Sequence, residues 1–152
     1  MAVNERAYTT RRMAIVKAMS EALKVIDGSE DYNTDLEARV EPRLKFWDEV
    51  NEYPSVHLSA GNETRDYQGA GVKDRYLNVT IRVYIEEEDA VFALEGLLED
   101  IETVLEVNSR LAYKDRLGTT HYTQQITIIS IDTDEGVLEP LGVGEIVCEV
   151  RY

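Results

Sequence analysis

Cysteine occurs once in the 152 residues, at Cys148, so no disulfide can form within the chain and the fold rests on packing and hydrogen bonds. Ile146, Val150 and Tyr152 share a strand face with it, which makes Cys148 a small apolar packing residue. Histidine occurs twice, with His57 in a predicted strand and His121 in a polar loop, and both read as ordinary strand or surface residues. No Gly-x-Ser-x-Gly, His-Glu-x-x-His, P-loop or Cys-x-x-Cys motif is present, so an enzyme, a metal centre or a cofactor has little sequence support. No apolar run approaches a membrane span, and the Met1–Arg6 start lacks a hydrophobic signal core. The expectation is a protein made in the cytosol with no membrane partner.

Positive charge is also scarce. Against 30 Asp and Glu stand 16 Lys and Arg, a net charge of -14, most of it in residues 53–152. Such a surface repels phosphate backbones, which disfavours sequence-specific DNA or RNA binding. The apolar share of 43% and charged share of 30% are those of a globular chain, and the length suits one domain over residues 1–152.

Within that frame the periodicity predicts two helices. The first runs from a cap at Thr9 or Thr10 to Ile26, with Met13, Val16, Met19, Leu23 and Ile26 at three- and four-residue spacing and Asp27-Gly28 as its stop. The second follows an acidic turn, Glu86 to Asp89, and runs to Asn108 with Ala90, Leu94, Leu97, Leu98, Ile101, Val104 and Leu105 as its apolar stripe. The clearest strand is Tyr76–Ile85, where Leu77, Val79, Ile81, Val83 and Ile85 alternate with polar or aromatic residues. Further strands are expected at Ser55–Ala60, after the extended Tyr53-Pro54 pair, at Ile126–Ile131 and at the end of the chain, with a short one within Asp35–Val40. Ser109–Thr123 reads as loop or strand edge. Gly61, Gly69 and Gly71 lie among polar residues in Gly61–Arg75, which predicts a long flexible hairpin arm or loop. The order implies an α+β fold, an antiparallel sheet of about four to five strands with two helices packed on one face.

Two polar segments remain. Asp132-Thr133-Asp134-Glu135-Gly136 superficially resembles a calcium loop, but Val137 and Val143 stand where an EF-hand needs glycine and glutamate, so it reads as a strand connector. Residues 86–106 contain no Lys or Arg, which fits a solvated helix face or a surface that must not grip DNA, such as a channel wall.

Several segments together resemble a known family. These are Glu52-Tyr53-Pro54-Ser55-Val56 before a strand, Gly61-Asn62-Glu63, the alternating strand Leu77–Ile85 leading to an acidic helix, and, most specifically, Thr133–Gly142 followed by Glu145–Tyr152. From the first helix to Tyr152 the chain is similar to the tail terminator proteins of long-tailed bacteriophages. The resemblance implies a subunit of a hexameric ring that caps the tail tube, stops its polymerisation and meets a head-side neck protein. DNA would pass through the ring transiently without specific binding, at the virion tail neck, after assembly in the host cytoplasm. On this reading Asn62, Glu63, Arg65, Tyr67, Gln68, Lys73 and Arg75 form a tube or neck contact loop. Glu95, Glu99 and Glu102 face the lumen, and Asp134, Glu135, Leu138, Glu139 and Pro140 contribute to the ring interface. Alternatives are another neck protein such as a head-completion connector, an enzyme of unknown type around His57, His121 or the acidic cluster, and a small-molecule binding domain.

Overall fold

The computed structural model describes residues 10–152, so Thr9 and the Met1–Arg6 start lie outside the described residues. In chain order the elements are α1 (Arg12–Leu23), β1 (Val40–Glu41), β2 (Ser55–Gly69), β3 (Val72–Glu86), α2 (Ala90–Val107), β4 (Ala112–Lys114), β5 (Thr120–Tyr122), β6 (Gln125–Thr133) and β7 (Leu141–Arg151). Five of the strands form one sheet in the order β1-β2-β3-β7-β6, and β4 pairs with β5 in a separate hairpin. The expected α+β architecture is present, and the large sheet is antiparallel except where β1 runs parallel to β2.

The alternation in β3 sets which face is buried. Its register pairs Ile81 with Leu58 on β2 and Ile146 on β7, and Val79 with Cys148, so one face is continuously apolar. Ile15, Met19 and Leu23 of α1 and Leu94, Leu97 and Ile101 of α2 join that same core, which puts both helices on one face. Burial pushes the Cys148 thiol up to about 12, so it packs and does not react. Gly142 and Gly144 of β7 lie beneath α2, and a Cβ on Gly144 would stand 3.0 Å from Val83 and 3.3 Å from Leu94. These two glycines let the helix approach the strand closely.

Several elements differ from their sequence expectations. The helix α1 ends at Leu23, and Ile26 is buried from the turns that follow. Ile15, one helical turn before Met19, takes the core position, leaving Met13 72% exposed. Arg11 occupies the cap position without a side-chain cap, and the Thr10 hydroxyl instead lies 3.3 Å from the Tyr152 phenol. The strand expected within Asp35–Val40 shrinks to Val40–Glu41 because Glu37 and Ala38 adopt φ of 47° and 60°, outside the extended region. Ser109–Thr123 contains the β4–β5 hairpin.

Asp100 differs most in environment. It belongs to the acidic run yet is buried, because its carboxylate accepts Asn33 N–H at 2.9 Å, Asn33 Nδ2 at 3.0 Å and Thr34 N–H at 2.9 Å. One carboxylate thus ties the segment after α1 to the middle of α2.

Candidate assembly surfaces

Of the hairpin arm or loop expected at Gly61–Arg75, the structure shows the hairpin arm, an antiparallel ladder turning at Ala70-Gly71. Gly69, Ala70 and Gly71 all have positive φ, and the two glycines adopt it without a Cβ penalty. A register shift between Ala60 and Glu63 marks the base of this arm. Because Tyr76 pairs with Arg151, the residues from Arg75 toward the turn pass the end of β7 and project beyond the main sheet.

The register brings five of the seven predicted contact residues onto one face. Glu63 opposes Leu77, Arg65 opposes Arg75, and Tyr67 opposes Lys73, whose ammonium sits 5.6 Å from the Tyr67 ring. Their roles then separate. Glu63 accepts from the Tyr152 phenol at 2.5 Å and from Arg65 Nε at 2.7 Å, so it anchors the arm. Arg75, only 4% exposed, exchanges backbone hydrogen bonds with Tyr152 and lies 5.1 Å over its ring. Burial, then the charge of Arg11, pulls the Arg75 guanidinium below its usual range, while burial raises the Tyr152 phenol. Asn62, Arg65, Tyr67 and Gln68 are exposed on the arm itself.

His121 belongs to the same base rather than to a surface loop. Its ring lies between Arg11 Nη1 and the Asp115 carboxylate, each at 2.7 Å, and stacks on Tyr113 at 5.7 Å. The hydrogen bond from His121 holds the Asp115 carboxyl below its usual range. His57 is a buried strand residue bonded to Ser55 at 3.1 Å, and burial lowers its pKa. Each histidine has a structural setting.

At the other end of the sheet, α2 begins beside the β6–β7 connector. The Asp134 carboxylate accepts from Leu138 N–H at 3.1 Å and Val143 N–H at 3.3 Å, shaping a turn in which Glu135 and Gly136 have positive φ. A Cβ on Gly136 would stand 2.9 Å from Val91, so the connector packs directly on the start of the helix. Phe92 and Val137 are 78% and 83% exposed there, with Val91, Leu138, Glu135, Glu139 and Pro140 also at the surface. An exposed apolar group ringed by carboxylates suits a protein contact. Glu95, Glu99 and Glu102 are exposed along α2 and border an open cavity of about 700 Å³ together with Asn33, Phe92 and Ile131.

A model of the bacteriophage tail tube terminator protein family matches residues 9–152. The chain belongs to that family. In agreement, the tail tube terminator protein of Escherichia phage T5 is 34% identical over 149 residues, covering 93% of this chain and 92% of that protein. A chain from the virion of a native gene transfer agent particle shares the fold with a TM-score of 0.57 at 12% identity, over 91% of this chain and 93% of that one. A tail tube terminator is a structural part of the phage tail, which sets aside the head-completion connector and gives no ground for the enzyme alternative. Among the described residues no helix is long and apolar enough to cross a membrane.

One feature of this terminator had no motif to announce it. Arg75 and Tyr152 meet through the pairing of β3 with β7, and Arg11 joins them from the start of α1, which no local pattern encodes. The alternation of Arg65, Tyr67, Lys73 and Arg75 was the available signal that Gly61–Arg75 continues two strands.

Proposed function

We propose that this terminator closes into a hexameric ring on the end of the tail tube, blocks further addition of tube protein, and offers its opposite face to a head-side neck protein. The observation that carries the reading is membership of the tail tube terminator family, joined to a subunit with an arm at one end and an acidic, apolar patch at the other. A cyclic homo-oligomer is heterologous, so each subunit must offer two unlike patches to its neighbours. Asp134, Glu135, Leu138, Glu139 and Pro140 belong to one such patch, where the connector and the start of α2 expose apolar side chains. Assembly takes place in the host cytoplasm, and the product stays at the tail neck.

The arm is assigned to the tube or the neck. Deleting residues 66–73 and closing the strands with a two-residue turn should leave a folded subunit, since the core lies below Arg75, but abolish capping of purified tail tubes. Normal capping by that variant would remove the arm from the contact.

Glu95, Glu99 and Glu102 are assigned to the lumen, where a negative wall keeps DNA from sticking as it passes. Converting all three to lysine should slow DNA ejection in particles with normal neck structure, measured by time-resolved release of dye-bound DNA. Unchanged release would move these residues off the channel.

A further inference from the structure

The acidic, apolar end supplies only one of the two patches that a ring requires. The other end of the molecule carries a patch of opposite charge on the β4–β5 hairpin. Arg110, Lys114 and Arg116 are exposed in and beside this hairpin, and none pairs with a carboxylate among the described residues. The hairpin's own carboxylate is turned inward: Asp115 accepts from Leu117 N–H at 2.9 Å and Thr119 N–H at 3.0 Å, and meets His121 at 2.7 Å. Leu117 and Tyr122 are exposed beside these cations, with Arg110 lying 5.5 Å over the Tyr122 ring. The result is a cationic, partly apolar knob on a protein of net charge -14.

The patch of opposite character consists of Glu86, Glu87, Glu88 and Asp89, all exposed, beside Phe92 and Val137. The two patches lie at opposite ends of α2, whose 18 residues span about 27 Å at 1.5 Å per residue. They also flank β6, whose nine residues extend about 30 Å from near Tyr122 to the connector. No single chain can bring them together, so a contact between them joins two molecules. Copies with this net charge repel one another at long range, and a stable homomeric contact therefore has to join regions of opposite sign.

We propose that the β4–β5 hairpin of one copy docks against the acidic, apolar patch around Phe92 and Val137 of the next, and that this is the head-to-tail contact closing the ring. The inference rests on the ring reading given above and names the surfaces that would build it. Apolar side chains on both patches lose water in the contact, while the charges fix partner and register.

The test uses the full chain mixed with purified tail tubes, with rings on tube ends counted by electron microscopy. Two charge-reversed variants, Lys114→Glu with Arg116→Glu and Glu87→Lys with Glu88→Lys, should each reduce ring formation at least about tenfold by placing like charges in every contact. All four substitutions in one chain should restore rings, because every contact again joins opposite signs. These side chains are exposed, and thermal melting verifies that each variant is folded. Rings unaffected by either pair, or not recovered in the four-substitution chain, would overturn this contact while the ring reading stands. A wild-type chain that forms no rings would overturn the ring reading and the contact with it.

Discussion

Replacing Asp100 by alanine should lower the free energy of unfolding by about 3 kcal/mol, far more than any other carboxylate in residues 86–106. The side chain is buried and accepts two backbone N–H groups, from Asn33 and Thr34, together with the Asn33 amide. Removing it leaves two part-buried backbone donors short of a partner, each costing about 1–3 kcal/mol where water is excluded and less where it enters. Glu99, one residue earlier, is exposed and makes only a 3.4 Å contact to Asn33, so Glu99→Ala should change stability by about 0.5 kcal/mol or less. Denaturant melts of the two variants separate these cases. Equal, small effects would show that Asp100 does not hold the segment after α1 to α2.

Gly144→Val should destabilise by about 1–3 kcal/mol through overpacking. A Cβ at this position already meets Val83 at 3.0 Å, Leu94 at 3.3 Å and Leu98 at 3.4 Å, so the branched methyls have no room unless α2 lifts from β7. Gly142 is tighter at Ile85, where the contact would be 2.9 Å, and it also faces the Ala90 carbonyl at 3.2 Å. Gly144→Ala should cost less than Gly144→Val, and a lifted α2 would carry Phe92 and Glu95 with it, so tube capping should weaken along with the melting temperature. A Gly144→Val chain as stable as the parent would mean that α2 does not press on this strand.

The α+β class, α2 and the central strand were readable because their patterns are local and strict. Alternation at Leu77 to Ile85 dictates a one-sided strand, and a stripe from Ala90 to Leu105 dictates a helix whatever lies around them. A short strand near Val40 was readable too, but its bounds and parallel pairing were not, since they depend on backbone reversal at Glu37 and Ala38 and on Val56 and His57. At Gly61–Arg75 the glycines and charges left a hairpin arm and a loop both open, and the ladder's register was not legible. Asp100 looked like one more solvated acid because its donors come from residues 33 and 34, far away in sequence. At the assembly surfaces the acidic stretch and the connector stood out as sequence, while the cationic hairpin did not: Lys114 and Arg116 flank an aspartate that only the folded turn removes from the surface.

The most direct measurement is cryo-electron microscopy of the purified protein mixed with uncapped tail tubes. Six copies in a closed ring on tube ends, with tube growth halted when tube protein is then supplied, is the expected result. Bare tube ends that continue to elongate in the presence of the folded protein would contradict it.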